Sequence, residues 1–318
     1  DQVDPIRPLV YCLFEEVGDV ERRAGHAGIR PRLTGRSPTQ RSRRLWPYVV
    51  SMAGTEDLLV EQIGHVLVVT MNRPQAKNAL SRPMLVGMAD AWVELDTNDD
   101  VRCLVLTGAG GTFCAGMDLK RAAAGNQPEE DQYAKRWEQD PDLHWKALLR
   151  HYRPRKPIIA AVEGFAVAGG TEILQATHIR VAGEGATFGV YEAKRGLFPL
   201  GGSTVRLQRQ IGYAAAMEML LTARAYPAAE ALQIGLINHV VPNGQALAKA
   251  MEIAEQIAAN APLAIEAILR SVQESSGLSE DDALARELEI GQPIFTTNDA
   301  REGPTAFAEK RPPVWTRS

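Results

Sequence analysis

The segment GFAVAGGTEIL, residues 164–174, decides how the whole sequence is interpreted. Three glycines and several small apolar residues surround a single acid, Glu172. A buried strand, a tight turn and a helix start explain the glycines, and the helix dipole favours an acid in a first turn. A second acid, Glu192, follows another apolar segment in FGVYEAKRG. Two carboxylates in such surroundings require one joint explanation.

The charge is divided unevenly along the chain. Residues 1–51 hold nine Arg and six Asp or Glu and therefore carry a charge of +3. Because the net charge of the whole chain is −4, residues 52–318 carry −7. This acidic body argues against binding to nucleic-acid phosphates, which depends on clustered Lys and Arg. No apolar run approaches the roughly 20 residues that cross a bilayer. We therefore expect neither a nucleic-acid partner nor a membrane partner for the body of the chain.

Cysteine usage predicts a reducing compartment. The three cysteines, Cys12, Cys103 and Cys114, are scattered and lack metal-ligand spacing, so neither a disulfide framework nor a metal site is expected. With no secretory signal pattern at the start, the predicted location is the cytoplasm. Cys114 has no nearby His or Lys in the sequence to lower its pKa, and we interpret it as a small buried residue rather than a nucleophile.

Residues 1–51 are interpreted as a disordered, Arg-rich leader with no part in the chemistry. They show no sustained period of 2 or 3.6 and are broken by Pro, Gly and Ser. The composition of residues 22–51 resembles a transit peptide or a nucleic-acid-binding arm. The six acids that come before residue 22 fit neither pattern.

The body of the chain predicts an α/β protein. Two short strands about Gly64, a helix capped by Ser81 and a strand at 101–108 come first, and helical patterns dominate from about Ser203. We predict an α/β core at residues 52–256 and a C-terminal helical region at residues 257–318.

Two glycine-containing turns, 115–117 and 168–170, each lead from a strand toward a helix. Backbone N–H groups at such turns lack helical partners and can point at a shared anion. If the two turns converge, they form an oxyanion hole. The pattern fits two unrelated packing turns equally well.

Five motifs occur in the order found in one family. Together they resemble the enoyl-coenzyme A hydratase/isomerase (crotonase) family, and the resemblance extends over residues 58–311. The motifs are NRPQAKNALS, GTFCAGMDLK, VEGFAVAGGTEI, FGVYEAKRGLFPLGGSTVRL and EGPTAFAEKRPP.

The resemblance implies a crotonase-like spiral of ββα units whose C-terminal helices form a homotrimer or homohexamer. It implies an acyl-CoA thioester substrate and no metal or other cofactor. By position, Met117 and Gly169 would donate backbone N–H groups to the thioester oxygen. Glu172 and Glu192 correspond to the two acid/base carboxylates of hydratases.

The implied reaction is hydration of an enoyl-CoA in fatty-acid or related acyl-CoA degradation. It needs a base for the water, an acid for the α-carbon and stabilisation of the enolate charge. By the family pattern, Glu172 mainly activates the water and Glu192 mainly exchanges the α-carbon proton. An enoyl-CoA isomerase is the alternative, and a non-catalytic or RNA-binding homologue is a weaker one. Short fatty, branched, aromatic and steroid-derived acyl groups all remain open.

Further residues are candidates for contact with the substrate or its CoA part. Lys77 and Lys310 are placed to meet CoA phosphates, with a solvated surface position as the equal alternative. The loop around Met117 adds three more candidates: Ala115, Gly116 and Asp118.

Three aromatic or imidazole side chains are harder to assign. A surface helix explains His144 and Trp145 more readily than an acyl pocket does. Hydratases often carry Gln-Pro before the second glutamate, whereas Val190 and Tyr191 stand here. We interpret Tyr191 as a packing residue, with a hydroxyl in reach of the substrate as the alternative.

Overall fold

A computed structural model describes residues 49–51, 54–123 and 133–318 of the 318-residue chain. Most of the predicted leader, residues 1–48, lies outside the described residues, so its disorder stays a prediction. The last three residues of the predicted leader form strand β1 (Val49–Ser51), which pairs antiparallel with the strand that follows. The described fold therefore begins before residue 52, where the sequence placed the boundary.

The strands of the described residues form a seven-stranded main sheet and a three-stranded small sheet. After β1 they are β2 (Leu58–Ile63), β3 (Val66–Met71), β4 (Cys103–Gly108), β5 (Ile158–Val162), β6 (Phe165–Val167), β7 (Ile179–Gly183), β8 (Thr187–Gly189), β9 (Tyr226–Pro227) and β10 (His239–Val241). The main sheet has the order β1-β2-β3-β4-β5-β7-β10, and the small sheet β6-β8-β9. From β3 to β10 the neighbours in the main sheet are parallel.

The helices lie between and after these strands. They are α1 (Arg82–Thr97), α2 (Leu119–Ala123), α3 (Ala134–Gln139), α4 (Leu143–Ala147), α5 (Gly169–Leu174), α6 (Ser203–Gln210), α7 (Tyr213–Thr222), α8 (Ala228–Gln233), α9 (Ala246–Ala258), α10 (Pro262–Glu274), α11 (Glu280–Gly291) and α12 (Asn298–Glu309). The predicted cap of α1 is confirmed, because the Ser81 hydroxyl accepts a hydrogen bond from Met84 N at 3.3 Å.

From β5 to β8, successive strands alternate between the two sheets. Strand β5 lies in the main sheet and β6 in the small one, and β7 and β8 repeat this step. Cys114, beyond the end of β4, forms an isolated parallel bridge with Ala166 of β6. Between β5 and β8 each turn of the chain therefore adds one strand to each sheet, and helix α5 follows β6. This is the ββα spiral that the resemblance implies.

Strands β3, β4 and β5 of the main sheet are buried on both faces, and their side chains alternate between two apolar clusters with a period of two. In β3, Leu67 and Val69 belong to the larger apolar cluster, which also contains the buried face of α1. Their neighbours Val66 and Val68 belong to the second cluster, on the side of α9. The near-continuous apolar runs of these strands follow from this double burial.

Helix α9 belongs with the α/β core. Its small residues Ala246, Ala250 and Ala254 are fully buried in the second cluster, where they allow the helix to approach the sheet closely. The predicted boundary between residues 256 and 257 therefore falls inside this helix. The purely helical C-terminal region consists of α10, α11 and α12 with the 3-10 turn Gln292–Thr296.

Trp92 on α1 offers a direct test of this packing. The side chain is fully buried, and its indole Nε1 donates to Ala147 O of α4 at 3.0 Å. We expect Trp92→Ala to lower the free energy of unfolding by about 3–5 kcal/mol. Trp92→Phe, which keeps a ring but leaves that carbonyl unpaired, should cost about 1–3 kcal/mol. Urea unfolding at one fixed protein concentration measures both, and an alanine variant as stable as the parent would contradict the packing described.

Candidate active site

Asn78, from the first motif, organises the loop after β4. Its buried side-chain amide donates to the carbonyl oxygens of Ala109 at 2.9 Å and Thr112 at 2.6 Å. Its Oδ1 accepts from Arg73 N at 2.8 Å. A Cβ atom on Gly108 would lie 2.7 Å from the Asn78 Nδ2 atom, so this approach requires glycine. The first motif thus fixes the loop that leads to Met117.

An ion pair closes the other end of this loop. Arg73 Nη2 lies 3.1 Å from Asp118 Oδ2, and Arg73 Nη1 donates to Ala79 O at 2.7 Å. Asp118 was predicted as a substrate-contact or CoA-contact residue. Its carboxylate accepts from Arg73 Nη2, and Asp118 also lines the cleft that contains the two acids, so its contact with the substrate stays a prediction.

The two glycine turns meet at Gly116 and Gly169. Gly116 has φ +85°, and a Cβ atom there would lie 2.8 Å from Ala168 Cβ and 3.0 Å from Gly169 N. Leu80 N donates to Gly116 O at 2.8 Å and holds the first turn in place. A Cβ atom on Gly169 would lie 3.8 Å from Met117 N. The convergence that the sequence left open is therefore present.

Ala168 holds the second turn in a rarely populated conformation. Its φ of +51° and ψ of −125° are unusual for a residue with a side chain. Ala168 N donates to Gly189 O at 2.8 Å, and Ala168 O accepts from Glu172 N at 3.0 Å. Gly169 is the first residue of α5, so its N–H has no partner in the helix. Among the described residues, neither Gly169 N nor Met117 N has a hydrogen-bond acceptor.

Glu172 lies in the first turn of α5 and is only 5% exposed. Its Oε1 accepts from Ser203 N at 3.3 Å, and Gly201 N–H and the Ser203 hydroxyl also interact with the carboxylate. Gln175 Nε2 donates to Ser203 Oγ at 2.8 Å, which leaves the hydroxyl proton free to point at Glu172. Burial raises the pKa of Glu172, while these donors and the charge of Arg206 act in the opposite direction.

Glu192 has a different environment at the start of the 3-10 turn Glu192–Arg195. It is half-buried, and its Oε2 is enclosed without a hydrogen-bond partner among the described residues. Burial, together with the smaller effect of the negative charge of Glu172, raises the pKa of Glu192 to about 7. The two acids are thus neighbours with unequal support for their charged forms.

A cleft of about 1780 Å³ joins these groups. Both acids, Met117 and Gly169 line it, as do the candidate residues Lys77, Ala115 and Asp118. Lys77 Nζ lies 4.9 Å from the centre of the Phe165 ring. Lys310 does not line the cleft, because it caps the end of α12 in a different part of the chain.

Trp137, His144 and Trp145 form one side of the cleft, which we call the aromatic wall. The rings of Trp137 and His144 are stacked with centres 5.7 Å apart, and those of His144 and Trp145 are 4.2 Å apart. The preferred interpretation of His144 and Trp145 as surface-helix residues is corrected here. Helix α4 buries Leu143 and Ala147 against the core, and His144 and Trp145, which lie between them in the sequence, face the cleft.

Tyr191 both packs and faces the cleft. A Cβ atom on Gly189 would lie 2.2 Å from Tyr191 Cε1, so the ring covers that glycine. Lys194 Nζ lies 5.8 Å from the ring centre. Tyr191 lines the cleft next to Glu192, so the packing interpretation holds and the side chain also borders the substrate space.

Other chemistry is not supported at this site. Burial raises the pKa of Cys114 to about 12, which agrees with its interpretation as a buried non-nucleophile. The described part of the chain holds no group of His, Cys, Asp or Glu side chains arranged to bind a metal ion. Within that same part, no helix combines the length and apolar character needed to span a membrane.

Comparison with known proteins was decisive for the family. The family model for enoyl-CoA hydratase/isomerase matches residues 61–318. The chain belongs to this family. The family predicted from the five motifs is therefore confirmed.

Named relatives and solved structures agree with this assignment. Enoyl-CoA hydratase EchA19 of Mycobacterium tuberculosis is 56% identical over 257 residues, which cover 81% of this chain and 95% of that protein. Mevalonyl-coenzyme A hydratase SIDH of Beauveria bassiana is 38% identical over 262 residues, covering 79% of this chain and 91% of that one. A crystal structure of an enoyl-CoA hydratase from Mycobacterium tuberculosis has a TM-score of 0.74 and 44% identity, covering 82% of this chain and 99% of its own. The predicted crotonase fold is confirmed.

The unequal acids of this family member make a prediction that needs no substrate. We expect infrared difference spectra between the parent and Glu192→Gln to show a carboxyl group that titrates near pH 7. In a Glu172→Gln background the pKa of Glu192 should fall, because one negative neighbour is removed, but burial should keep it above its ordinary value. A Glu192 carboxyl that titrates like an exposed glutamate would contradict the geometry.

The same titration affects stability in a defined direction. The folded pKa of Glu192 is raised from 4.5 to about 7, so the folded state binds more protons than the unfolded state across that window. This group therefore lowers the free energy of unfolding as pH rises through the window. The stability of Glu192→Gln relative to the parent should increase over the same range.

Proposed function

We propose that the chain is an enoyl-CoA hydratase, which adds water across the α,β double bond of an enoyl-CoA thioester. One observation carries the proposal: two neighbouring acids with opposite surroundings lie beside two backbone N–H groups that lack acceptors in the described residues. Hydration requires a proton acceptor, a proton donor and stabilisation of an enolate. Relatives named as hydratases support the same reaction.

Met117 N–H and Gly169 N–H are proposed to hold the thioester oxygen. Negative charge develops on that oxygen when the double bond is attacked, and fixed donors about 3 Å away stabilise it. The free N–H of Gly169 lies at the N-terminus of α5, where the helix dipole adds to the effect. The close approach of Gly116 to the second turn supports this role, because it brings both donors to one side of the cleft.

Glu172 is proposed to accept the proton of the attacking water. Ser203 and Gly201 donate to its carboxylate and Arg206 adds a positive charge, and all three favour the ionised form. The water oxygen bonds to the β-carbon, and the π electrons move through the α-carbon to the thioester oxygen. Glu172 is thereby protonated.

Glu192 is proposed to give its proton to the α-carbon. Its buried, unpartnered Oε2 and its pKa of about 7 keep a substantial protonated fraction at neutral pH. Proton transfer restores the thioester and leaves Glu192 ionised. Return of the proton from Glu172 to Glu192, directly or through water, resets the pair.

The proposed substrate lies with its acyl part between the acids and the aromatic wall. Lys77 borders the cleft and is a candidate contact for CoA phosphate. The relatives' names include mevalonyl-CoA and short-chain enoyl-CoA hydratases, so the family accommodates different acyl groups. We place the reaction in fatty-acid or related acyl-CoA degradation, with CoA as part of the substrate and no other cofactor.

We also propose that copies of the chain assemble through the C-terminal region as a homotrimer or homohexamer. Large apolar side chains there are exposed in the single chain, including Val272 at 69%, Phe295 at 83% and Phe307 at 87%. Such side chains on neighbouring helices are typical of a surface that another chain covers.

Glutamine variants of the two acids test the proposed reaction. Glu172→Gln and Glu192→Gln should each slow hydration of an enoyl-CoA about 10²- to 10⁴-fold, which is roughly 3–5 kcal/mol of barrier. The double variant should lose less than the product of the two losses, because both acids serve one water and one set of protons. Loss of absorbance of the conjugated thioester measures the rate, and Glu138→Gln, an exposed acid at the cleft margin, is the matched control.

Two outcomes would change the assignment. If both single variants hydrate at the parent rate, the acid pair is structural and the chain is not this hydratase. If instead a 3-enoyl-CoA becomes conjugated without hydration, and only one of the acids is needed, the chain is an isomerase.

A further inference from the structure

Arg206 on α6 connects two parts of the cleft that are distant in sequence. Its guanidinium donates to Gly201 O at 3.2 Å and, through Nη2, to Leu149 O. Gly202, with φ +122°, lies directly beneath it, because a Cβ atom there would be 3.1 Å from Arg206 Nη1. The side chain is half-buried, so these contacts form away from bulk water.

The two carbonyls belong to two segments that border the cleft, one through Gly201 and the other through Leu148, the residue before Leu149. Gly201 also directs its N–H at the Glu172 carboxylate. Leu149 lies just after α4, which carries His144 and Trp145 of the aromatic wall. Leu149 has φ +53°, an uncommon conformation for a branched residue, and the bond from Arg206 to its carbonyl helps to hold it. A movement of Arg206 would therefore disturb both the Gly201 turn and the Leu149 segment.

The charge of Arg206 faces mostly other cations. Arg150 and Arg153, from the segment after α4, and Arg180, from β7, are the positive groups near it. Within the described residues Arg206 forms no ion pair, and Glu172 is the acid whose charge favours its protonated form. The charged groups that act on Glu172 in turn are Arg206 and, across the cleft, Glu192.

We propose that Arg206 is a positioning residue for Glu172: its guanidinium fixes the Gly201 turn that anchors the carboxylate, and it places a positive charge near this acid. The inference rests on the proposed function only where it concerns turnover. Arg206 does not touch the reacting atoms. It acts through Glu172 and through the Leu149 segment.

Each contribution of Arg206 has its own consequence. The positive charge opposes the effect of burial on Glu172, so its loss should raise the pKa of that acid. The planar guanidinium bonds two carbonyls at once, which the ammonium group of lysine does with poorer geometry. Charge and geometry can therefore be separated by substitution.

The experiment compares Arg206→Met, Arg206→Lys and the control Arg209→Met, an exposed arginine on the same helix. The readouts are the pH profile of kcat/KM for an enoyl-CoA, the kcat and KM values, and the pKa of Glu172 from infrared spectra against the matching Glu172→Gln protein. We expect Arg206→Met to lower kcat about 10-fold with a smaller change in KM, and to move the acidic limb of the profile to higher pH. Arg206→Lys should restore the acidic limb but only part of kcat, and Arg209→Met should match the parent.

Two results would overturn the inference. One is a folded Arg206→Met protein, with parent-like circular dichroism, whose Glu172 pKa and acidic limb are unchanged. The other is an Arg206→Lys protein that shifts the limb as far as Arg206→Met does. The infrared titration needs no turnover, so it separates this inference from the proposed function. A shifted Glu172 pKa in a protein whose parent form lacks hydratase activity would support the inference and remove the hydratase assignment.

Discussion

The rest of the site depends on the contact between Gly116 and Gly169. Strands β4 and β5 are parallel neighbours, so their carboxyl ends lie at one edge of the main sheet. The bridge between Cys114 and Ala166 then brings the following segments together. Because neither glycine carries a side chain, the two turns approach closely and bring the two N–H groups of the proposed oxyanion site near one another. A methyl group at Gly116 would push that site open.

This close approach also explains why the acids can differ in charge. Helix α5 begins at Gly169, and its first turn carries Glu172 toward the Gly201–Ser203 turn, where backbone donors meet the carboxylate. Glu192 follows β8, and its Oε2 has no hydrogen-bond donor among the described residues. Burial raises the pKa of both acids and backbone N–H groups act against it at both, but only at Glu172 do the Ser203 hydroxyl and the charge of Arg206 also oppose it. This difference serves the proposed reaction, since two acids with equal support could not divide the acid and base work.

Local patterns in the sequence predicted the features that depend on interactions between residues close together in the chain. The Ser81 cap, the strands on either side of Gly64 and the two glycine turns depend on neighbours a few residues away, and the structure contains them. Motif order supplied the family and the acid pair. Contacts between distant segments were not readable: Ala168 at positive φ lacks the usual glycine signal, and Arg206 meets Leu149 across 57 residues. His144 and Trp145 were assigned to a surface helix for the same reason, because the burial of Leu143 and Ala147 against α1 decides which residues face the cleft.

The most direct test of the account is a crystal structure with a saturated acyl-CoA bound, since this compound keeps the thioester but cannot be hydrated. The account predicts the thioester oxygen about 3 Å from both Met117 N and Gly169 N, which is hydrogen-bonding distance. The α- and β-carbons should then lie between the carboxylates of Glu172 and Glu192. A thioester oxygen bound elsewhere in the cleft, with either N–H left unpaired or both acids remote from the α- and β-carbons, would contradict it.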